Sequence, residues 1–248
     1  MWSWAGILIA VAAAPAAEPG AALARRLADF HSPTPIAVSM RLDLHLERTL
    51  HHTVVKGDAA VPLAVDADAA ALRVTWDADV LRRADAEQHE RDEASDRIAP
   101  VREALKELDA DRLSHLLDQA GTLAGLTKGA PAEETVETYE GREARRLVYH
   151  FQPRLSWTET YYLHHSDGRF TVWISADGTP LASDSVATFE GKTSRMFGRF
   201  RGSTTIHTRY AAEGGRLWVA ERDLDEMRSR EDGGEVERRS ERFVLTRR

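Results

Sequence analysis

The sequence predicts a mainly β protein of the α+β class: a large curled antiparallel sheet, or half-barrel, of about ten strands with a helical insert. Three patterns predict this class. Apolar and polar residues alternate over 36–47, apolar residues recur at helical spacing within 78–127, and short alternating segments separated by turn residues follow residue 134. A curled sheet is expected because open twisted sheets rarely exceed about ten strands.

The first seventeen residues have the features of a secretory signal peptide. An apolar run over 2–14 has the length of an h-region, and Ala14-Pro15-Ala16 provides an A-x-A cleavage site. A helix that spans a membrane needs about 20 apolar residues, and this run is shorter. We therefore expect residues 1–17 to be removed and the protein to be periplasmic or secreted. The alternatives are a short buried strand or an uncleaved anchor.

The remaining residues, 18–248, are expected to form a single β-rich domain with the helical insert at about 78–127. Because the chain has no cysteine, disulfides, thiol catalysis, iron–sulfur clusters and cysteine-ligated zinc are excluded. The formal net charge is -7, and the basic residues of the C-terminal part are interleaved with acidic ones. This pattern is typical of a solvated sheet face, so we expect no nucleic-acid partner.

The first predicted element after the signal peptide is a short helix. Residues 21–30 place Leu23, Leu27 and Phe30 at helical spacing. The prolines within 31–35 end this helix because proline cannot donate to the helical hydrogen bonds.

Three strands are predicted next. The alternation over 36–47 predicts a strand with one apolar face and one polar face. A second strand is predicted over 49–56 with a turn at Gly57-Asp58, and a third over 72–76.

The segment 78–127 is predicted to be helical because it is rich in Ala, Glu, Asp, Arg and Leu and poor in β-branched residues. Asp109 is placed to cap a helix, and the polar segment 85–96 is predicted as either a helix or an exposed loop. Two sets of apolar residues each share a helical face: Ile98, Val101, Leu105 and Leu108 in the first, and Leu113, Leu116, Leu117, Ala120 and Leu123 in the second.

From Glu134 onward the pattern predicts a meander, in which short loops make neighbouring strands antiparallel. The predicted strands are 134–140, 143–152, 157–165, 169–176, 180–190, 202–211, 215–224 and 235–246. The predicted turns are Glu140-Gly141, Asp167-Gly168, Asp177-Gly178, Gly214-Gly215 and Gly233-Gly234.

No group of residues predicts an enzyme or a metal site. His51-His52 and His164-His165 are potential metal ligands, but neighbouring side chains on a strand point to opposite faces, so neither pair can chelate one ion. The sequence has no G-x-S-x-G, Walker, G-x-G-x-x-G or H-E-x-x-H motif. Asp109-Ala110-Asp111 lacks the other ligands and the glycine of a calcium loop. We therefore expect no catalytic residues, no metal and no cofactor.

Aromatic residues on the predicted strands indicate either an ordinary core or the lining of an apolar groove. They are Trp76, Trp157, Trp173 and Trp218, with Tyr149, Phe151, Tyr161, Tyr162 and Phe170 nearby. An amphipathic helix over the mouth of a curled sheet would either leave such a groove open or fill it. The predicted ligand-binding residues, on this apolar face or on its helical lid, are Leu42, Leu44, Trp76, Leu113, Leu116, Leu117, Trp173 and Trp218.

The order of elements resembles the Lol-type half-barrels, the superfamily of outer-membrane lipoprotein carriers and receptors. The features that carry the resemblance are the exported N terminus, the helix at 21–30, the long strand at 36–47 and the helices inserted before a meander. The hairpin from Val172 to Leu181 is similar to that fold's strand–turn–strand with its G-x-P-L sequence. The sequence is also similar to a group of exported proteins that share this architecture.

The resemblance implies a cell-envelope protein that binds a lipid or lipidated partner in the concave face of the sheet. The alternative is a periplasmic structural or regulatory module that binds a protein and has a filled core without a ligand. The expected partners are therefore a lipid or lipoprotein, or an envelope protein, and the cleaved chain is not an integral membrane protein. A continuous apolar cavity would favour the lipid, and a filled core with a polar rim would favour the protein partner.

We predict that the mature chain starts near Ala17, because the apolar run and the cleavage site precede it. Amino-terminal sequencing of the protein from its native host tests this prediction. Recovery of intact Met1 would contradict it.

Overall fold

The computed structural model describes residues 19–30, 34–50, 53–68, 70–93, 97–153, 163–192, 198–230 and 235–248, which form ten strands and five helices. The helices are α1 (Pro19–Asp29), α2 (Ala78–Glu93), α3 (Pro100–Lys106), α4 (Ala110–Leu117) and α5 (Ala120–Leu126). The strands are β1 (Ile36–Leu50), β2 (Thr53–Ala67), β3 (Leu72–Trp76), β4 (Glu133–Tyr139), β5 (Arg142–Phe151), β6 (Leu163–Ile174), β7 (Pro180–Lys192), β8 (Arg199–Glu213), β9 (Arg216–Arg230) and β10 (Glu235–Arg247).

The described strands form one antiparallel sheet in the order β3-β2-β1-β10-β9-β8-β7-β6-β5-β4. Strands β3 and β4 are the two edges, although they follow one another in the chain. The first and last strands, β1 and β10, are paired inside the sheet from Val38 opposite Arg247 to Thr49 opposite Val236. The sheet is curled and open, which confirms the predicted fold class of a large antiparallel sheet with a helical insert.

Strand β1 shows why the sheet has one apolar face. Successive side chains of a strand point to opposite faces, and the apolar residues of β1 occupy every second position. We call the face to which they point the inner face, and the opposite one the outer face. The buried residues of β1 are Ile36, Val38, Met40, Leu42, Leu44 and Leu46.

The helices α2 to α5 connect β3 to β4 and pack against the inner face, which confirms the predicted helical insert. The segment 85–96 is helical as far as Glu93, where α2 ends. Asp109 caps α4, as predicted: its side chain accepts a hydrogen bond from the backbone N–H of Arg112 at 2.7 Å. Among the described helices, none is long and apolar enough to cross a membrane.

Helix α2 also supports the start of α3. The carboxylate of Glu87 accepts hydrogen bonds from the backbone N–H groups of Val101 and Arg102 at 3.2 and 3.0 Å. These groups have no partner within their own helix, so a side chain from α2 satisfies them.

Helix α1, predicted at 21–30, lies with α5 over β5 and β6 and buries a second apolar cluster. It also contacts the turn between β6 and β7. Gly178 has φ +86, and a Cβ at this position would lie 2.7 Å from the carbonyl oxygen of Ala22. Arg26 Nε donates to Thr179 Oγ1 at 2.8 Å. The turn therefore needs glycine both for its conformation and for the approach of α1.

Two predicted turns are wrong because the glycines lie within strands. Gly57-Asp58 is part of β2, and a Cβ on Gly57 would lie 3.1–3.2 Å from side-chain atoms of Ile98 and Pro100 at the start of α3. Asp167-Gly168 is part of β6, and a Cβ on Gly168 would lie 2.8 Å from the ring of Phe151. Both glycines allow a neighbour to approach the sheet closely instead of reversing the chain.

Other predicted turns are confirmed. Glu140-Gly141 joins β4 and β5 with φ values of 48 and 78, Asp177-Gly178 joins β6 and β7, and Gly214-Gly215 joins β8 and β9. Gly233-Gly234 and the first part of the predicted strand 157–165 lie outside the described residues.

Candidate functional site

Seven of the eight predicted ligand-binding residues belong to one apolar cluster between the helical insert and the inner face of the sheet. Leucines from β1 and from α4 pack together with Trp218 of β9, and half-buried Trp76 of β3 packs at the margin of the same cluster. The seven residues are Leu42, Leu44, Trp76, Leu113, Leu116, Leu117 and Trp218.

The space between α4 and the sheet is filled by side chains of the protein. Leu113, Leu116 and Leu117 are each at most 1% exposed, and Leu42 in the same cluster is 0% exposed. The leucines of α4 therefore fill part of the space above the inner face.

Trp173 lies apart from the other seven, on the outer face of β6. Its neighbours Val172 and Ile174 are buried in the second apolar cluster, so Trp173 points the opposite way. Its Nε1 donates to Glu137 Oε1 at 2.5 Å, and its ring centroid lies 5.3 Å from that of Tyr139. It therefore contributes to the surface near the β4 edge rather than to the inner face.

The remaining aromatic residues belong to the second cluster or lie outside the described part. Tyr149 and Phe170 are buried beneath α1 and α5, and Phe151 packs against them. Trp157, Tyr161 and Tyr162 lie outside the described residues.

A cluster of charged side chains, here called the polar clamp, joins the start of α4 to the sheet. Its members are Glu107, Arg112, Arg239 and Glu241. Arg112 donates to Glu107 and to Glu241, and Arg239 donates to Glu241. Arg239 Nη2 also lies 2.8 Å from Glu107 Oε1. The Glu241 side chain is only 1% exposed, so two guanidinium groups compensate its buried charge.

A second set of polar contacts anchors the chain just beyond α4. The backbone N–H of Gln119 donates to the carbonyl of Leu217 in β9 at 2.8 Å, and Arg222 Nη2 donates to Gln119 Oε1 at 3.3 Å. Arg216 donates to the carbonyl of Leu117 at 3.4 Å. Helix α4 is therefore attached to the sheet by polar contacts at both ends and by leucines between them.

Burial changes the acid–base properties of the side chains beneath this anchor. Desolvation lowers the pKa of Arg222 below its ordinary value. Desolvation also raises the pKa of Tyr210, whose hydroxyl is 2.6 Å from Ser183 Oγ. Both side chains are half-buried and hydrogen-bonded to the protein.

Part of the inner face beside the helices is polar. A groove of about 310 Å³ beside the polar clamp is lined mainly by glutamate and arginine. Its lining residues are Glu107, Arg112, Leu224, Glu226, Arg228, Glu237, Arg239 and Glu241. This groove suits polar or charged groups better than an acyl chain.

The outer face carries a larger shallow groove of about 630 Å³ across β2, β1, β10 and β9. Its charged side chains include Asp43, Asp58, Asp223 and Arg242, and His45 Nδ1 lies 2.6 Å from Asp58 Oδ1. Charged side chains therefore lie beside a larger apolar area in this groove.

The histidine pairs do not form a metal site within the described structure. His164 and His165 are exposed on β6, beside a register shift of the strand pairing, and His51-His52 lies outside the described residues. In the described ranges, no group of three or more histidine, aspartate or glutamate side chains is arranged to hold a metal ion.

The sequence contains one signal for the polar clamp that its apolar patterns do not reveal. In β10 the buried residues Phe243 and Leu245 occupy alternate positions, and Glu241 falls on the same side. A carboxylate at a core-facing position needs a partner, and this requirement indicates a buried polar cluster. The sequence does not reveal which arginines supply the partner.

No protein-family model matches the sequence, and no curated protein matches it. Among solved structures, the chain is similar to the crystal structure of a DUF1329 family protein from Desulfovibrio piger. The sequence identity is 11%, the TM-score is 0.27, and the match covers 94% of this chain and 92% of that chain. At so low a TM-score the likeness supports no conclusion about function.

We predict that Glu241→Gln lowers the free energy of unfolding by roughly 3 kcal/mol, because Arg112 and Arg239 lose the buried carboxylate they share. Glu235→Gln is the matched control: Glu235 lies on the same strand, and its nearest ion-pair distance, to Arg230, is 3.9 Å. Its effect should stay within about 0.5 kcal/mol. Urea denaturation of both variants measures the difference. Equal shifts of the two midpoints would contradict a structural role for the clamp.

Proposed function

We propose that the protein is an exported, non-enzymatic component of the cell envelope that binds a protein partner through its surface. The observation that supports this is the filled inner face: the leucines of α4 occupy it, and polar contacts attach both ends of the helix to the sheet. The export component rests on the signal-peptide features of residues 1–17, which lie outside the described residues.

Removing α4 from the sheet would cost a large free energy, which supports an inner face that stays filled. Exposing Leu113, Leu116 and Leu117 would cost roughly 1.5–3 kcal/mol for each side chain before the gain in chain entropy. Removing Arg112 would also leave Glu241 with half of its compensating charge. Breaking one side of a buried ion pair costs about 3–5 kcal/mol. Binding of an acyl chain would have to offset both the cost of exposing the leucines and the cost of breaking this ion pair.

The surface that remains accessible favours a polar partner. The groove beside the polar clamp is lined mainly by charged side chains, and the groove on the outer face carries charged side chains among apolar ones. Protein interfaces combine a polar rim with a more apolar centre. A lipid site, in contrast, needs a continuous apolar cavity.

Binding of a lipid or lipidated partner is the second candidate function. One observation favours it: the helices nearest the inner face are short, with seven residues in α3, eight in α4 and seven in α5. In this function the helices would move away together and expose the apolar inner face to an acyl chain.

We predict that Leu117→Asp unfolds the protein cooperatively. An unpaired carboxylate would be buried where Leu117 is 1% exposed, at a cost on the order of 4–5 kcal/mol. Leu81→Asp in α2 is the matched control, because Leu81 is 48% exposed and its replacement should leave stability nearly unchanged. Circular dichroism during urea denaturation measures both variants.

A fluorescent apolar probe separates the two functions in the same experiment. If Leu117→Asp keeps its β spectrum and a cooperative transition while it gains probe binding, the helix is a displaceable lid and the lipid function is favoured. Mass spectrometry of the wild-type protein from the periplasm provides a second readout. Stoichiometric copurifying acyl lipid would contradict the filled-face proposal.

A further inference from the structure

Strand β4 is a free edge of the sheet. It pairs with β5 on one side, and no other described strand lies on its opposite side. The residues of β4 are exposed, apart from half-buried Tyr139 at its end. A free edge presents backbone N–H and C=O groups that can pair with another extended chain.

This edge lacks several features that usually protect a sheet edge. The β4 sequence contains no proline and no lysine, and its register with β5 runs from Glu133 opposite Val148 to Tyr139 opposite Arg142 without a bulge. Its centre is formed by β-branched residues that favour strands, including Val136, which is 62% exposed. The edge is therefore a regular, exposed strand of the kind to which another strand can be added.

The opposite edge is shorter and more buried. Strand β3 has only five residues, and α2 begins two residues after its end. Three of its side chains, Leu72, Val74 and Trp76, pack against the core. Of the two edges, β4 is therefore the one that is available for a partner.

The charge of β4 selects the partner. Glu133, Glu134 and Glu137 lie within the strand, and Glu140 follows in the turn. A second copy of β4 would bring two sets of carboxylates together, and like charges on paired strands destabilise the pairing. Lysine or arginine on an incoming strand would instead form favourable cross-strand pairs.

The paired side of β4 already shows this complementarity. Arg146 of β5 lies 3.7 Å from Glu133, and β5 also carries Arg142 and Arg145. A basic strand on the free side would place cations on both sides of the β4 carboxylates.

We propose that β4 binds an extended basic segment of a partner protein as an eleventh strand of the sheet. This inference rests on the proposed function, because it assigns the surface and the chemistry of the partner. Seven residues span about 23 Å. One face of the incoming segment lies beside Glu133, Thr135 and Glu137, and the other beside Glu134, Val136 and Thr138. The segment that fits best alternates basic residues with β-branched ones.

A blocked nine-residue peptide that alternates lysine with valine or threonine tests this proposal with the full mature protein. Fluorescence anisotropy at low salt should show saturable binding, which weakens as salt is added. Two control peptides should bind at least tenfold more weakly: one with proline at its centre, which removes a backbone donor, and one with glutamate in place of lysine.

Two protein variants locate the site. Glu134→Lys on the β4 edge should weaken binding of the lysine peptide about three- to tenfold and improve binding of the glutamate peptide. Asp85→Lys is the control and makes the same change of charge at an exposed position of α2, the helix that follows the β3 edge. It should change binding less than twofold. Hydrogen exchange should show new protection of β4 amides in the complex.

Several results would overturn the proposal: no saturable binding, equal binding of the proline peptide, or equal loss of affinity in both variants. If the protein dimerises and Glu134→Lys changes the dimerisation affinity, a second copy of the chain occupies the edge instead. These outcomes leave the proposed function standing if the inner face stays closed to the apolar probe. Probe binding by a folded Leu117→Asp variant would contradict the proposed function independently of the edge.

Discussion

The apolar inner face of the sheet is the constraint on which the rest of the structure depends. An uncovered apolar surface spanning several strands would cause aggregation, so the chain must cover it. Because β1 and β10 are paired inside the sheet, the described segment that runs from one edge to the other is the helical insert between β3 and β4. The order of the strands therefore brings the helices to the face that needs them.

The polar contacts determine how the cover lies on the sheet. Leucines alone would allow α4 to shift along the apolar face, because hydrophobic contact has no direction. The polar clamp fixes the start of the helix, and Gln119, hydrogen-bonded to Leu217, fixes the chain beyond its end. Each contact is buried or partly buried, so a shifted helix would leave polar groups without partners. The result is a core in which the insert is a structural layer.

The sequence was sufficient to predict what depends on local pattern. The alternation of β1, the helical insert and the Asp109 cap all appear in the structure as predicted. Glycine in a strand was ambiguous, since Gly57 and Gly168 allow close approach of a neighbour where a turn was expected. The position of Trp173 could not be predicted, because the pattern of one strand does not show which face the helices cover. The polar clamp joins residues 129 positions apart, so no local pattern contains it.

Native-state hydrogen exchange of α4 tests the central claim that the helical cover is an integral layer of the core. The backbone N–H of Leu113 donates to the carbonyl of Asp109 at 3.0 Å, and its exchange requires the helix to open. If the cover is integral, the free energy of opening for Leu113 should equal that for Leu42 in the centre of β1, since both would exchange only through global unfolding. Exchange of Leu113 through a partial opening several kcal/mol below that of Leu42 would contradict the account, because α4 would then detach while the sheet remained folded.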